Sequence, residues 1–250
     1  MSKTNRRCEE ILDLLRDVYF PSLTRLDSFT LCKRNGLILS CLTLDEDRSR
    51  SSFQLVRHFD FLVSDADSIS LYLAYRATNR KGRIPRVINF SSQLTLESIQ
   101  EKFEVDIDNF AILMKNELSL EEALLEFDTY FNDDDRCTAP YQAQLYFDWI
   151  VILSQSMNHM DFSKVLDSYG SKLKSWPEMA FRRWGSFDDW EKRVATTIKD
   201  QPQIDTLVSD SLKNLEAEDI NDFGLSVPNQ DGTSLLVRDE ALRLLSLNRH

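Results

Sequence analysis

Three histidines and four cysteines are the residues best suited to metal or nucleophilic chemistry in this chain: His58, His159, His250, Cys8, Cys32, Cys41 and Cys137. Zinc sites place such residues at short fixed spacings, because a tetrahedral ion needs its ligands brought together by one turn or knuckle. No Cys-x-x-Cys pair occurs, and there is no His-Glu-x-x-His, Gly-x-Ser-x-Gly or P-loop motif. A set of Cys32, Cys41 and His58 matches no ligand pattern. The expectation is no metal and no cofactor.

Carboxylates are the second resource. Asp45-Glu46-Asp47, Asp133-Asp134-Asp135 and Asp188-Asp189 are local clusters. Paired carboxylates can run acid–base or two-metal chemistry. The first two clusters have the setting of solvated loops, and the third that of a helix N-terminus. No catalytic residue is assigned, and the chain reads as non-enzymatic. Asp148 is different, because it lies alone in an apolar run. Such a carboxylate must pair, face outward or shift its pKa, and an outward position or an arginine partner is expected.

The densest remaining cluster is aromatic and cationic. Trp176, Phe181, Arg182, Arg183, Trp184 and Trp190 fall within a short stretch, and Trp, Tyr and Arg dominate binding hot spots. These six are candidate partner-docking residues, joined by Leu235 and Leu242 of a C-terminal amphipathic segment. The bland alternative for the cluster is an irregular connection packed on the core.

Composition narrows the classes. A net charge of −11 disfavours direct nucleic-acid binding, which needs a basic footprint. The short cluster Arg80-Lys81-Gly82-Arg83 with Arg86 suits a solvated helix end. No long apolar run is present, so no membrane association is expected. Cysteines without pairing motifs fit a reducing intracellular compartment, nuclear or cytoplasmic. With 15 Phe, 7 Tyr and 4 Trp the chain can build a sizeable core. Gly and Pro number only six each, which favours helix over an all-β fold.

The elements that would position these residues start with a helix over 5–20. Cys8, Ile11, Leu12, Leu15, Val18 and Tyr19 form its stripe, Thr4 caps it and Pro21 stops it. Ser28–Leu44 fits either a helix interrupted at Asn35-Gly36 or a hairpin turning on that pair. Over 53–63, Phe53, Val56, Phe59 and Leu62 follow a helical period, whereas Phe53, Leu55, Phe59, Phe61 and Val63 follow a strand. The helical reading is preferred. Ser64 is expected to cap a helix with Ile69, Tyr72 and Leu73 on its stripe and Gly82 at its end. Ile84–Phe90 reads as an extended connection.

Thr95 caps a short helix, and Phe110, Leu113 and Met114 mark another. Ser119 and Glu122 form a capping box before Leu120, Ala123, Leu124, Phe127 and Phe131. Thr138–Met157 contains a run from Leu145 to Leu153 in which only Asp148 is polar. A helix apolar on every side must be covered on every side, so this is the expected centre of the core, with Trp149 and Ile152 buried. Phe162, Val165, Leu166, Tyr169 and Leu173 make the return arm of a helical hairpin. Ser186 caps a helix bearing Trp190, Val194 and Ile198, and Ile204, Leu207, Val208, Leu212 and Leu215 mark one more.

From Ser119 onward, the capped Ser-Leu-Glu-Glu-Ala-Leu-Leu-Glu-Phe, the apolar Leu-Tyr-Phe-Asp-Trp-Ile-Val-Ile-Leu and the turn into Asp-Phe-Ser-Lys-Val-Leu resemble the helical TRF-homology dimerisation domains of telomere proteins, of the fission-yeast shelterin bridge type. The likeness covers roughly 119–200 and carries no functional residue. It implies a nuclear, homodimeric, non-enzymatic adaptor that bridges telomere proteins through docked peptides.

The sequence reading is therefore a mainly α protein, a multi-helix bundle around a buried central helix. The alternative is α+β, with a small antiparallel sheet in residues 27–90. The expected domains are a helical body over 1–216, a flexible linker over 217–233 and an amphipathic helix over 234–250. The expected function is that of a protein-interaction adaptor or scaffold that binds other proteins, or its own copies, through helical surfaces. The alternatives are a viral or host accessory protein and an enzyme with an unrecognised acidic site.

Overall fold

The computed structural model describes residues 3–47, 52–63, 72–76, 88–89, 110–131, 140–157 and 159–226. By its contacts the chain forms two compact units. The first comprises Met1–Asp60, Asp67–Glu117 and Lys213–Gly224, and the second Phe61–Ala66, Leu118–Leu212 and Leu225–His250.

The mainly α expectation is overturned in the first unit, which is built on a sheet. Helix α1 (Lys3–Tyr19) buries Cys8, Ile11, Leu12 and Leu15 as its stripe requires. Val18 departs from the stripe and stays 46% exposed. The helix starts at Lys3, so Thr4 lies inside it and is not its cap. The strands that follow are β1 (Thr24–Arg25), β2 (Thr30–Asn35), β3 (Ile38–Asp47), β4 (Ser52–Phe61), β5 (Tyr72–Arg76) and β6 (Ile88–Asn89). Their order is β1-β2-β3-β4-β5, with β6 also pairing β4, and each recorded pairing is antiparallel.

The hairpin alternative for 28–44 is the one adopted, but one residue out of the expected register. Asn35 pairs with Ile38, so the two-residue turn is Gly36-Leu37 and not Asn35-Gly36. Gly36 takes φ +63°, the left-handed value that a turn with glycine at its first central position needs. Strand β4 replaces the helix expected over 53–63, and Tyr72–Arg76, expected to be helical, is strand β5, while the rest of the helix expected from Ser64 to Gly82 lies outside the described residues. Every residue from Gln54 to Val63 is buried, so β4 shows no exposed face and no clean alternation. The short helix expected near Thr95 lies outside the described residues.

On one face of the sheet Leu31, Leu42, Leu44 and Leu55 form a core with α1, Phe110 and Leu113. The same face carries Lys33, whose Nζ donates to the carbonyls of Ile112, Leu113 and Lys115 at the end of α2 (Ala111–Met114). A cation at a helix C-terminus satisfies orphan carbonyls and the helix dipole together. Asn35 Nδ2 donates to the carbonyls of Asn116 and Gly224.

Residues 217–226, expected to begin a flexible linker, are packed. Ala217 and Ile220 are buried. Asp222 accepts the Gly36 and Gly224 N–H groups on Oδ1 and pairs with Arg34 through Oδ2. The rest of that linker, and the expected helix over 234–250 with Leu235 and Leu242, lie outside the described residues.

The second unit follows the helical reading closely. Ser119 and Glu122 make the reciprocal capping box that opens α3 (Leu120–Phe131): Glu122 N–H donates to Ser119 Oγ, and Ser119 N–H donates to Glu122 Oε2. Helix α4 (Pro140–Ser156) is buried at every position from Ala143 to Leu153, as an all-apolar surface demands. The hairpin's return arm is α5 (His159–Lys174). A 3-10 turn over Glu178–Phe181 leads to α6 (Phe187–Thr197), and α7 (Gln201–Asn214) follows. Two short strands, β7 (Leu118–Ser119) and β8 (Leu225–Ser226), pair in parallel.

Candidate docking cleft of the helical unit

The central helix organises this unit through aromatic contacts. Trp149 stacks on Phe127 at 4.9 Å and on Phe61 at 5.7 Å between centroids. Tyr146 meets Phe127, Tyr169 and Trp176 edge-on. Trp149 Nε1 donates to Tyr169 Oη, which donates to Asp128 Oδ1, both at 3.3 Å. Burial pushes the Asp128 carboxyl up to about 7, against the opposing pull of the Tyr169 hydroxyl and Lys172. The phenol of Tyr169 is likewise raised, chiefly by burial. The Asp128 carboxyl is thereby shifted toward its neutral form, and nothing in the spacing of the sequence marks it. Through Tyr169 and Trp149 it ties α3, α4 and α5 together.

Asp148 does not face outward. It is fully buried, and its Oδ1 accepts from Gln144 Nε2, one helical turn earlier, at 2.6 Å.

The aromatic and cationic cluster separates into two groups. Phe181 and Trp190 are 1% exposed and belong to the core. Trp190 stacks on Phe187 and donates its Nε1–H to the Ala143 carbonyl at 3.1 Å. Trp176 is part-buried and packs on Tyr146. Arg182 and Arg183 are exposed, and Trp184 is part-buried. Of the six, Arg183 and Trp184 line a cleft of about 80 Å³ together with Gln144, Phe147, Arg193 and Thr197.

Trp184 stacks on Phe147 at 6.3 Å, and the Arg183 guanidinium sits 5.9 Å from the Trp184 ring centre. Gln144 and Phe147 come from α4, Arg193 and Thr197 from α6. Val63, Gln203 and Leu207 complete the wall, which contains no carboxylate. A larger groove of about 370 Å³ runs along α5 and α6, but its charges are mixed, with Asp167 and Glu191 opposite in sign to Lys174.

The other candidates do not assemble into a site. Asp45 and Asp47 end strand β3, Asp188 and Asp189 sit in the first turn of α6 as expected, and Asp133-Asp134-Asp135 lie outside the described residues. Cys32 and Cys41 face each other across β2 and β3, both buried. The Cys41 thiol is held well above its ordinary value, first by its hydrogen bond to Cys32 and then by burial, which disfavours the thiolate a nucleophile needs. His58 Nε2 bonds Thr43 Oγ1 at 2.9 Å, and burial lowers its pKa to about 4. Among the described residues no three His, Cys, Asp or Glu side chains gather as a metal-ligand set. No described helix is long and apolar enough to cross a membrane.

No known protein family, curated protein or solved structure matches this chain.

Proposed function

We propose that this chain is a non-enzymatic protein-interaction module, and that the cleft around Arg183 and Trp184 is where its helical unit docks a partner. The observation that carries this is the cleft's make-up. A part-buried tryptophan stacked on phenylalanine lines it with two exposed arginines, Gln144 and Thr197. Aromatic and arginine side chains at a desolvated pocket are what concentrate binding energy in protein interfaces. The likeness of 119–200 to TRF-homology domains points to the same class of role and lends it no residue.

Site-specific photo-crosslinking tests the reading. A benzophenone side chain replaces Arg183 in cells that make the protein, and a second version carries it at exposed Lys199 as the control. A discrete adduct from position 183, absent at 199 and lost when Trp184→Ala is added, is the expected result. Identical adducts at both positions, or none at 183, would contradict it.

A further inference from the structure

The cleft's polar atoms specify more than a docking face. Thr197 is 1% exposed, and its Oγ1 has no hydrogen-bond partner among the described residues. The helical threonines nearby behave differently: Thr196 Oγ1 donates to the Lys192 carbonyl and Thr206 Oγ1 to that of Pro202. A buried hydroxyl left unpaired is unfavourable unless a ligand supplies its partner. Arg193, one turn before Thr197 on the same wall, has no ion pair among the described residues. Its own candidate carboxylate, Asp189, is taken: Ser186 Oγ donates to Asp189 Oδ2 while accepting the Asp189 N–H as the helix cap. Gln144 gives one N–H to Asp148 and keeps further capacity on its amide.

We infer that this cleft is an anion subsite, and that its occupant is a side-chain carboxylate of an acidic peptide flanked by apolar residues. The inference rests on the docking reading above. Guanidinium groups take carboxylates in a two-pronged fashion, which suits Arg193 with Arg183 at the mouth. The Thr197 hydroxyl donates to an oxygen of the same carboxylate. The stacked Phe147–Trp184 pair offers an apolar shelf for a neighbouring side chain. The cleft, at about 80 Å³, is scaled to one small group and not to a cofactor. In a chain of net charge −11, a pocket with two arginines and no lining acid is selective for negative charge.

The full chain is titrated with acetylated, amidated Leu-Glu-Leu, with its Leu-Gln-Leu counterpart and with inorganic phosphate, following the indole signal of Trp184 by NMR. The Glu peptide should shift that signal and bind at least about tenfold more tightly than the Gln peptide, since a charge-assisted pair is lost in the latter. Arg193→Gln should lose the same factor, Arg193→Lys part of it, and Arg182→Gln nothing. Equal binding of the two peptides, insensitivity to Arg193→Gln, or no Glu-peptide binding at millimolar concentration would overturn the inference. Phosphate that outcompetes the Glu peptide would also overturn it, in favour of a phosphorylated partner. So would self-association of the protein that vanishes in Arg193→Gln, in favour of a second copy. Failure here with a position-183 adduct retained removes the carboxylate and leaves the docking reading. Success here with no adduct does the reverse.

Discussion

The two units rely on buried polar side chains to different degrees. In the sheet unit several are structural ties, although Ser22 Oγ is buried with no hydrogen-bond partner among the described residues. Lys33 closes the end of α2, Asn35 holds two distant carbonyls, and His58 bonds Thr43 across neighbouring strands. In the helical unit aromatic packing makes the core, and a buried hydroxyl, Thr197 Oγ1, has no partner among the described residues and lies beside an open cleft. A satisfied buried polar group reports on folding, and an orphaned one beside a cleft reports on binding.

The largest expected effect is in the aromatic core. Trp149→Ala removes a fully buried ring between Phe127 and Phe61 and should cost about 3–5 kcal/mol. Chemical denaturation followed by amide exchange should show the loss in Leu118–Leu212. A mutant that unfolds within a few tenths of a kcal/mol of the parent would break the assignment of the core to α4.

Next is the sheet unit's tie. Lys33→Met keeps the aliphatic stem but leaves the Ile112, Leu113 and Lys115 carbonyls without their cation. A loss of about 2–3 kcal/mol is expected from equilibrium unfolding. A neutral result would mean that buried polar groups there are not ties.

The pH dependence sharpens the contrast, because the two units should respond with opposite sign. His58 is lowered to about 4 from 6.5. Its neutral form is favoured by the fold, so that contribution is complete above pH 6.5 and is lost as pH falls toward 4. Asp128 is raised to about 7 from 3.8. Its protonated form is favoured, so that contribution is complete below about pH 4 and is lost as pH rises through 7. Either slope is at most about 1.4 kcal/mol per pH unit. Residue-resolved hydrogen exchange from pH 4 to 7.5 should show protection rising around His58 and falling around Asp128. Slopes of one sign in both units, or slopes that survive His58→Gln and Asp128→Asn, would contradict this.

What the sequence made legible follows the same division. In the helical unit the Ser119–Glu122 box, the all-apolar α4 and the Ser186 cap each state their structure locally, through side chains at fixed offsets along one helix. In the sheet unit β4 is buried on both faces, so Arg57, His58 and Asp60 break the alternation that would have announced a strand. The spacing of Ile69, Tyr72 and Leu73 imitates a helical stripe, yet Tyr72 and Leu73 fall in β5. The Asn-Gly pair announces the hairpin but not its register.

The cleft was half visible. Arg183 and Trp184 stood out by type and proximity, whereas Gln144, Phe147 and Arg193 arrive from other helices. The role of Thr197 rests on a bond it does not make, and no local pattern encodes a missing bond. Phe181 and Trp190, which looked like docking residues by type, are held in the core instead.

The central claim is that Thr197 Oγ1 waits for a ligand and holds nothing in the fold. Equilibrium unfolding of Thr197→Val beside the parent tests it most directly, because valine keeps the shape and removes only the hydroxyl. Stability should be unchanged or raised by up to about 1 kcal/mol, since an unpaired buried polar group is deleted. The same variant should bind the Glu peptide more weakly. A loss of about 1 kcal/mol or more, with peptide binding intact, would show that the hydroxyl serves the fold and would contradict the account.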